Sequence, residues 1–202
     1  MIRNIVFDMG NVIITFDRQH FLDCLDIDIE DKKMLMKEVF ISLEWANMDR
    51  GTMNESDAYE SIIKRLPEYL HPYAHKLVFE WNEMSAQIEG IYDLIRRLKE
   101  KGYGIYLLSN ASRRLNEYWK EIEVNKCFDG MIVSADCGYV KPEHEIYELL
   151  LDRYGLKAEE CFFVDDMALN AEGARHAGMA SMVFHGDAKE IEDKLRELGV
   201  DV

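Results

Sequence analysis

Five short apolar runs, each closed by glycine or a polar group, constrain this chain more than any other feature. They fall at residues 2–8, 103–109, 130–135, 161–165 and 180–184. Buried parallel strands have this form, because both faces of such a sheet are covered. Helical stretches lie between and after them. Residues 91–100 carry Ile91, Leu94, Ile95 and Leu98 at helical spacing and stop before Gly102. Residues 143–154 follow Pro142, a favoured first-turn residue, with Ile146, Leu149 and Leu150 on one face. Residues 188–198 follow Asp187, and Glu190 three positions on suggests a capping box. Alternation of this kind predicts an α/β fold with a doubly wound parallel sheet, Rossmann-like in outline.

The first strand departs from the rhythm, since no clear strand follows it until residue 103. Residues 30–41, 55–66 and 71–86 have helical patterns instead, with Asn54 as a cap and a turn at Asp49-Arg50-Gly51-Thr52. That is too long for a simple connection. The chain therefore divides into an α/β core, residues 1–15 and 88–202, and an inserted α-helical cap, residues 16–87. Inserted there, the cap overhangs the C-terminal ends of the strands, where open α/β sheets bind ligands.

Polar groups gather at those ends. Ile5-Val6-Phe7 runs into Asp8, Leu107-Leu108 into Ser109-Asn110, Ile132-Val133 into a loop ending at Lys141, and Phe162-Phe163-Val164 into Asp165-Asp166. A carboxylate can attack phosphorus and also hold Mg²⁺. Adjacent carboxylates repel each other, and a cation relieves this. A serine hydroxyl, the amides that follow it, and a lysine all suit a phosphate. Each has a plainer reading: Asp8 as a turn cap, Asp165-Asp166 as an acidic helix cap, Ser109-Asn110 as the cap of a helix over 112–123, Lys141 as a solvated charge. Asn170 either orients a carboxylate or steadies its helix. Four such groups on four strand ends favour phosphoryl transfer.

With these motifs in order, Phe7-Asp8-Met9-Gly10-Asn11-Val12, Leu107-Leu108-Ser109-Asn110, Val140-Lys141-Pro142 and Phe163-Val164-Asp165-Asp166 with Asn170, the sequence resembles the haloacid dehalogenase-like hydrolases. The stretch 172–179 is similar as well, and the cap lies where the small-helical-cap branch carries it. The resemblance implies that Asp8 is the nucleophile and a Mg²⁺ ligand. It implies that the Gly10 carbonyl and Asp166 are further ligands, with Asp165 nearby through water, and that Ser109, Asn110 and Lys141 bind the transferring phosphoryl group. Most phosphatases of the family carry a second Asp two residues after the nucleophile, as general acid and base, where this chain has Gly10. The Asp-x-Gly-Asn-Val pattern looks like a subgroup containing sugar-phosphate phosphatases, among them one acting on glucose 1-phosphate. A missing general acid costs ~10²–10⁴-fold. Asp17 either takes that part or caps the first helix of the insert.

The expected function is thus Mg²⁺-dependent hydrolysis of a small phosphorylated metabolite, plausibly a sugar phosphate, through an aspartyl-phosphate. Trp45, Asp49 and Arg50 are the cap residues expected to face the leaving group. Two alternatives stand beside it: a carbon–halogen hydrolase of the 2-haloacid dehalogenase type, and a non-catalytic phosphate-binding member. A formal net charge of −15 argues against nucleic-acid and anionic-membrane partners. No apolar run approaches the ~20 residues of a membrane span, and the first residues lack a secretory pattern. Cys24, Cys127, Cys137 and Cys161 form no CxxC pair, which fits a reducing, cytoplasmic setting. Oligomeric state is not legible in the sequence.

Overall fold

A computed structural model describes residues 1–202. The five strands are β1 (Asn4–Phe7), β2 (Gly104–Ser109), β3 (Gly130–Val133), β4 (Cys161–Asp165) and β5 (Ala180–Val183). They form one sheet in the order β3-β2-β1-β4-β5, every pair parallel. Side chains alternate along each strand. Ile5, Phe7, Ile105, Leu107, Phe162 and Val164 therefore join one apolar cluster, with Leu94, Leu98, Ile191 and Leu195 from the helices Ile91–Glu100 and Ala188–Glu197. Val6, Leu108, Ile132 and Phe163 point the other way, onto Ile146, Tyr147 and Leu150 of the helix His144–Tyr154. Helices thus cover both faces, and β1 lies in the middle with β2 and β4 beside it.

Between β1 and β2 lies the helical layer, with an apolar interior of its own that runs from Phe21 to Val78. Its ordered pieces are the helices Arg18–Asp23, Ile29–Leu35, Leu43–Arg50, Glu55–Ile63 and His71–Phe79, with a π turn at Met36–Phe40. Asn54 caps Glu55–Ile63 as expected, accepting from Asp57 N. Arg65 holds this layer together. It pairs with Glu38 at 2.6 Å and with Glu44 at 2.7 Å, and Ser61 also donates to Glu44. Removing Arg65 would leave the buried Glu44 carboxylate with no cation and with the Ser61 hydroxyl as its remaining side-chain partner. Arg65→Ala is expected to cost about 1–3 kcal/mol of unfolding free energy, measured by urea titration. Arg65, with Ser61, holds the Glu44 pKa down from 4.5 to about 2. A depressed carboxylate stabilises the fold above its unfolded pKa, so this contribution should fade as pH falls from 4.5 through about 2.

Several local expectations differ from the structure. Asp49 and Arg50 are the last residues of a helix, Leu43–Arg50, and the turn begins at Gly51, whose φ is +75°. That helix is hard to see in sequence because Leu43 is 79% exposed while Glu44 is buried. The helix expected over 71–86 ends at Phe79, and a 3-10 turn at Trp81–Met84 sets Trp81 edge-on to Phe16, with ring centroids 4.8 Å apart. The helix expected over 112–123 is only Leu115–Tyr118 followed by 3-10 turns, and Ser109-Asn110 do not cap it; Ser112, before it, donates to Glu55 of the helical layer. Pro142 precedes the cap residue Glu143 instead of opening the first turn. Asp187 caps its helix by accepting from Lys189 N, but the Glu190 carboxylate goes to His185, so the box has only one arm. All four cysteines are free, and no helix is long and apolar enough to cross a membrane.

Candidate active site

Strand register sets the site. Phe7 pairs with Leu107 on one side and Val164 on the other, so the next residue, Asp8, stands level with Asp165, and its N–H bonds Val164 O at 2.9 Å. Ser109 ends β2 one residue higher. The parallel sheet thus delivers Asp8, Ser109 and Asp165 to one edge without help from any loop. One carboxylate oxygen each from Asp8, Asp165 and Asp166 lie within 4.8 Å of one another.

Lys141 arrives from the loop after β3 and is 4% exposed. Its Nζ lies 2.7 Å from Asp8 Oδ1 and 2.6 Å from Asp165 Oδ2. Asn110 fixes the Lys141 backbone at both ends: its Nδ2 donates to Lys141 O at 2.9 Å, and its Oδ1 accepts from Lys141 N at 2.7 Å. The Asn110 side chain, expected to face substrate, is therefore committed to holding the lysine. Its backbone N–H, like that of Gly10, has no acceptor within the chain.

Asp165 is fully buried and saturated. Besides Lys141 it accepts from Met167 N at 2.8 Å and from Asn170 Nδ2 at 3.0 and 3.2 Å. Asn170 thus orients a carboxylate, and Asp165 anchors Lys141. Asp166 is half-buried and accepts one bond, from Asn11 Nδ2 at 3.0 Å. Asn11 also accepts from Phe16 N at 2.8 Å and sits at φ 55°, a left-handed conformation that asparagine tolerates. Sequence reasoning missed Asn11, although a Gly-Asn pair straight after a strand is a turn signal.

Burial dominates the electrostatics. It pushes Asp8 up to about 7, against the pull of Lys141. Burial also works against charge on Lys141, but Asp8 and Asp165 outweigh it and hold the ammonium above the ordinary lysine value. Asp166 is raised by burial, with Asn11 opposing.

The oxygen donors at the sheet edge suit Mg²⁺. Hard oxygen ligands and one or two carboxylates suit this ion. Asp8 keeps one oxygen clear of Lys141, Asp166 accepts only the Asn11 bond, and the Gly10 carbonyl accepts no hydrogen bond from the chain. The residues fit the ion.

Above this floor is a cavity of about 590 Å³. Its floor is polar: Asp8, Ser109, Lys141 and Asp166. Its wall is largely apolar, with Phe16, Trp45, Met48, Val78, Trp81 and Tyr118. Asp17 lies at the rim, exposed, capping the helix Arg18–Asp23 through Gln19 N and His20 N. Trp45 and Asp49 face the cavity as expected, but Arg50 does not. It turns to the core, pairing with Glu143 at 2.6 Å and donating to Gly138 O at 3.0 Å. Ser134 donates to Asp49 O and accepts from Ala111 N, two residues past Ser109. A Cβ on Gly51 would come within 2.0 Å of Ala135 O, so only glycine fits there. The helix Leu43–Arg50 is thus fastened to the core beside the polar floor.

A parallel sheet with three carboxylates and a buried lysine gathered at its C-terminal edge is the site of an α/β-class enzyme. The family model of the haloacid dehalogenase-like hydrolases matches residues 2–178, and the chain belongs to that family. Sesquiterpene phosphatase astK of Aspergillus oryzae is 27% identical over 194 residues, spanning 88% of this chain and 87% of that protein. A solved HAD family enzyme from Bacteroides thetaiotaomicron, bt-2542, in complex with magnesium and inorganic phosphate, superposes with a TM-score of 0.76 at 21% identity, over 95% of this chain and 99% of its own. A HAD-like family hydrolase from Porphyromonas gingivalis gives 0.76 at 22% identity over the full length of both. At such identities the solved structures establish the shared fold.

Proposed function

We propose that this hydrolase is a Mg²⁺-dependent phosphomonoesterase that works through an aspartyl-phosphate. One observation carries the reading: Lys141 Nζ bridges Asp8 and Asp165, with Asp166 a few ångströms away, at the base of a cavity. The Asp8 carboxylate attacks phosphorus. Lys141, the Ser109 hydroxyl and the free amides of Gly10 and Asn110 receive the phosphoryl oxygens. Asp8, the Gly10 carbonyl and Asp166 would hold Mg²⁺, which neutralises charge on the transferring group when bound. Asp165, expected to act through water, instead keeps Lys141 aimed. The phosphatase activity named for astK and the magnesium and phosphate held by bt-2542 support this assignment. A carbon–halogen hydrolase also uses an Asp nucleophile but gains nothing from a third carboxylate beside it.

The leaving group belongs to the cavity wall. A sugar phosphate, which the motif resemblance implies, would lay its ring against Phe16, Trp45 and Trp81 and find polar partners among Asn11, Asp17, Arg18, Gln19, Asp49 and Ser112. That wall favours a small phosphorylated metabolite with an apolar face. The test is phosphate release from a panel of sugar, aryl and alkyl phosphates, with Mg²⁺ and with a chelator. Release that the chelator abolishes and Mg²⁺ restores is expected. Halide release from 2-haloacids, indifferent to chelation, would overturn the assignment.

A further inference from the structure

We infer that Asp49, carried by the helical layer, is the general acid and base of this site, supplying the proton that no side chain at residue 10 can supply. The inference rests on the phosphomonoesterase reading above.

Four carboxylates face the cavity: Asp8, Asp17, Asp49 and Asp166. Asp8 is bound to Lys141, and Asp166 to Asn11. Asp17 is spent on two backbone N–H groups at the exposed rim. The Asp49 carboxyl accepts no hydrogen bond from the chain, and it is half-buried in a wall that includes Trp45 and Met48 of its own helix. A carboxyl left unbonded among apolar neighbours is held back from ionising. Burial accordingly pushes Asp49 up to about 7, opposed only by Arg18 at some distance. The other groups around it are Tyr118, whose phenol feels Asp49 and is itself raised mainly by burial, and, across Tyr118, Arg114 and Glu55.

The position of residue 49 is held by the core. The Asp49 carbonyl accepts from Ser134 Oγ, which also accepts from Ala111 N, so residue 49 is tied to the loop that follows Ser109. The neighbouring Arg50–Glu143 pair and the glycine-only approach of Gly51 to Ala135 keep that end of the helix in place. Gly10 carries no proton donor, and a Cβ there would only reach van der Waals contact with Phe16, at 3.4 Å. The proton is therefore sought among the other groups that line the cavity.

The steps balance. An Asp8 oxygen forms a bond to phosphorus as the bond from phosphorus to the ester oxygen breaks. The departing oxygen keeps the electron pair and takes the Asp49 proton, leaving as the alcohol. The Asp49 carboxylate then takes a proton from water, whose oxygen attacks phosphorus. Phosphate departs, the Asp8 carboxylate is restored, and Asp49 is again protonated.

The experiment compares wild type, Asp49→Asn and Asp17→Asn on an aryl phosphate with an acidic phenol and on an alkyl phosphate, each across pH. A leaving group that needs no proton should not need Asp49. Asp49→Asn is expected to lose about 10²–10⁴-fold in kcat/KM on the alkyl ester and to come within about tenfold of wild type on the aryl ester. Because the acid must be protonated, wild-type kcat/KM on the alkyl ester should fall above about pH 7, and Asp49→Asn should lose that limb. An equal loss on both esters, an intact basic limb, or a limb that vanishes in Asp17→Asn instead would overturn the assignment of Asp49. Wild type that releases phosphate from neither these esters nor the wider panel would overturn the phosphomonoesterase reading, and the role of Asp49 with it.

Discussion

Asp8→Asn should lower kcat by on the order of 10⁴-fold or more, leaving only what binding and charge stabilisation give without a nucleophile. Asparagine has nearly the same shape, so the register of β1 between β2 and β4 should survive. What is lost is the anionic oxygen aimed into the cavity. The stability of the same variant separates chemistry from misfolding. Burial pushes Asp8 up to about 7 from 3.8. An acid raised in the folded state favours folding less as pH climbs between those two values, since the unfolded chain ionises more easily. Asn carries no such burden, so the metal-free variant should melt no lower than wild type at neutral pH. Turnover above about one per cent of wild type would remove Asp8 from the nucleophile's role.

The second large effect is on the fold itself. Lys141→Ala leaves Asp8 and Asp165 buried beside one another without a cation; their side chains are 11% and 0% exposed, and that of the lysine is 1% exposed. Breaking a buried pair of this kind costs about 3–5 kcal/mol, more than an exposed pair could return. At about 2–4 °C per kcal/mol for a chain of this size, scanning calorimetry should show Tm lowered by roughly 6–20 °C. Turnover should fall by about 10²–10³-fold, the usual cost of one lost charge-stabilising donor. Lys141→Arg is not a conservative substitute, because a planar fork cannot replace a compact ammonium enclosed on all sides. If Lys141→Ala melts within about two degrees of wild type, the bridge is not the organising contact described above.

The core was legible because its signals are local. Each strand is an apolar run, each run ends at a functional group, and parallel pairing brings those ends together whatever the loops do. Asp8, Ser109, Lys141 and the Asp165-Asp166 pair could therefore be chosen from the sequence, though their division of labour could not. Nothing local says that Asn110 grips the Lys141 backbone, or that Asp165 is saturated while Asp166 has capacity to spare. Those facts depend on contacts between residues far apart in the chain. The helical layer was harder still. Leu43–Arg50 exposes a leucine and buries a glutamate that Arg65 neutralises, which inverts the usual apolar stripe. Trp81 leaves its expected helix to meet Phe16, a packing choice that propensity does not encode.

The fastening of Leu43–Arg50 bears on protein engineering. A helical segment transplanted from a relative could bring its own interior intact and still misalign with its host. Fit at the junction depends on Ser134, Ala135, Gly138 and Glu143, all host positions, meeting Asp49, Arg50 and Gly51 of the graft. A chimera that exchanges residues 49–51 and these host positions as one block should retain a working chamber where a swap cut elsewhere would not.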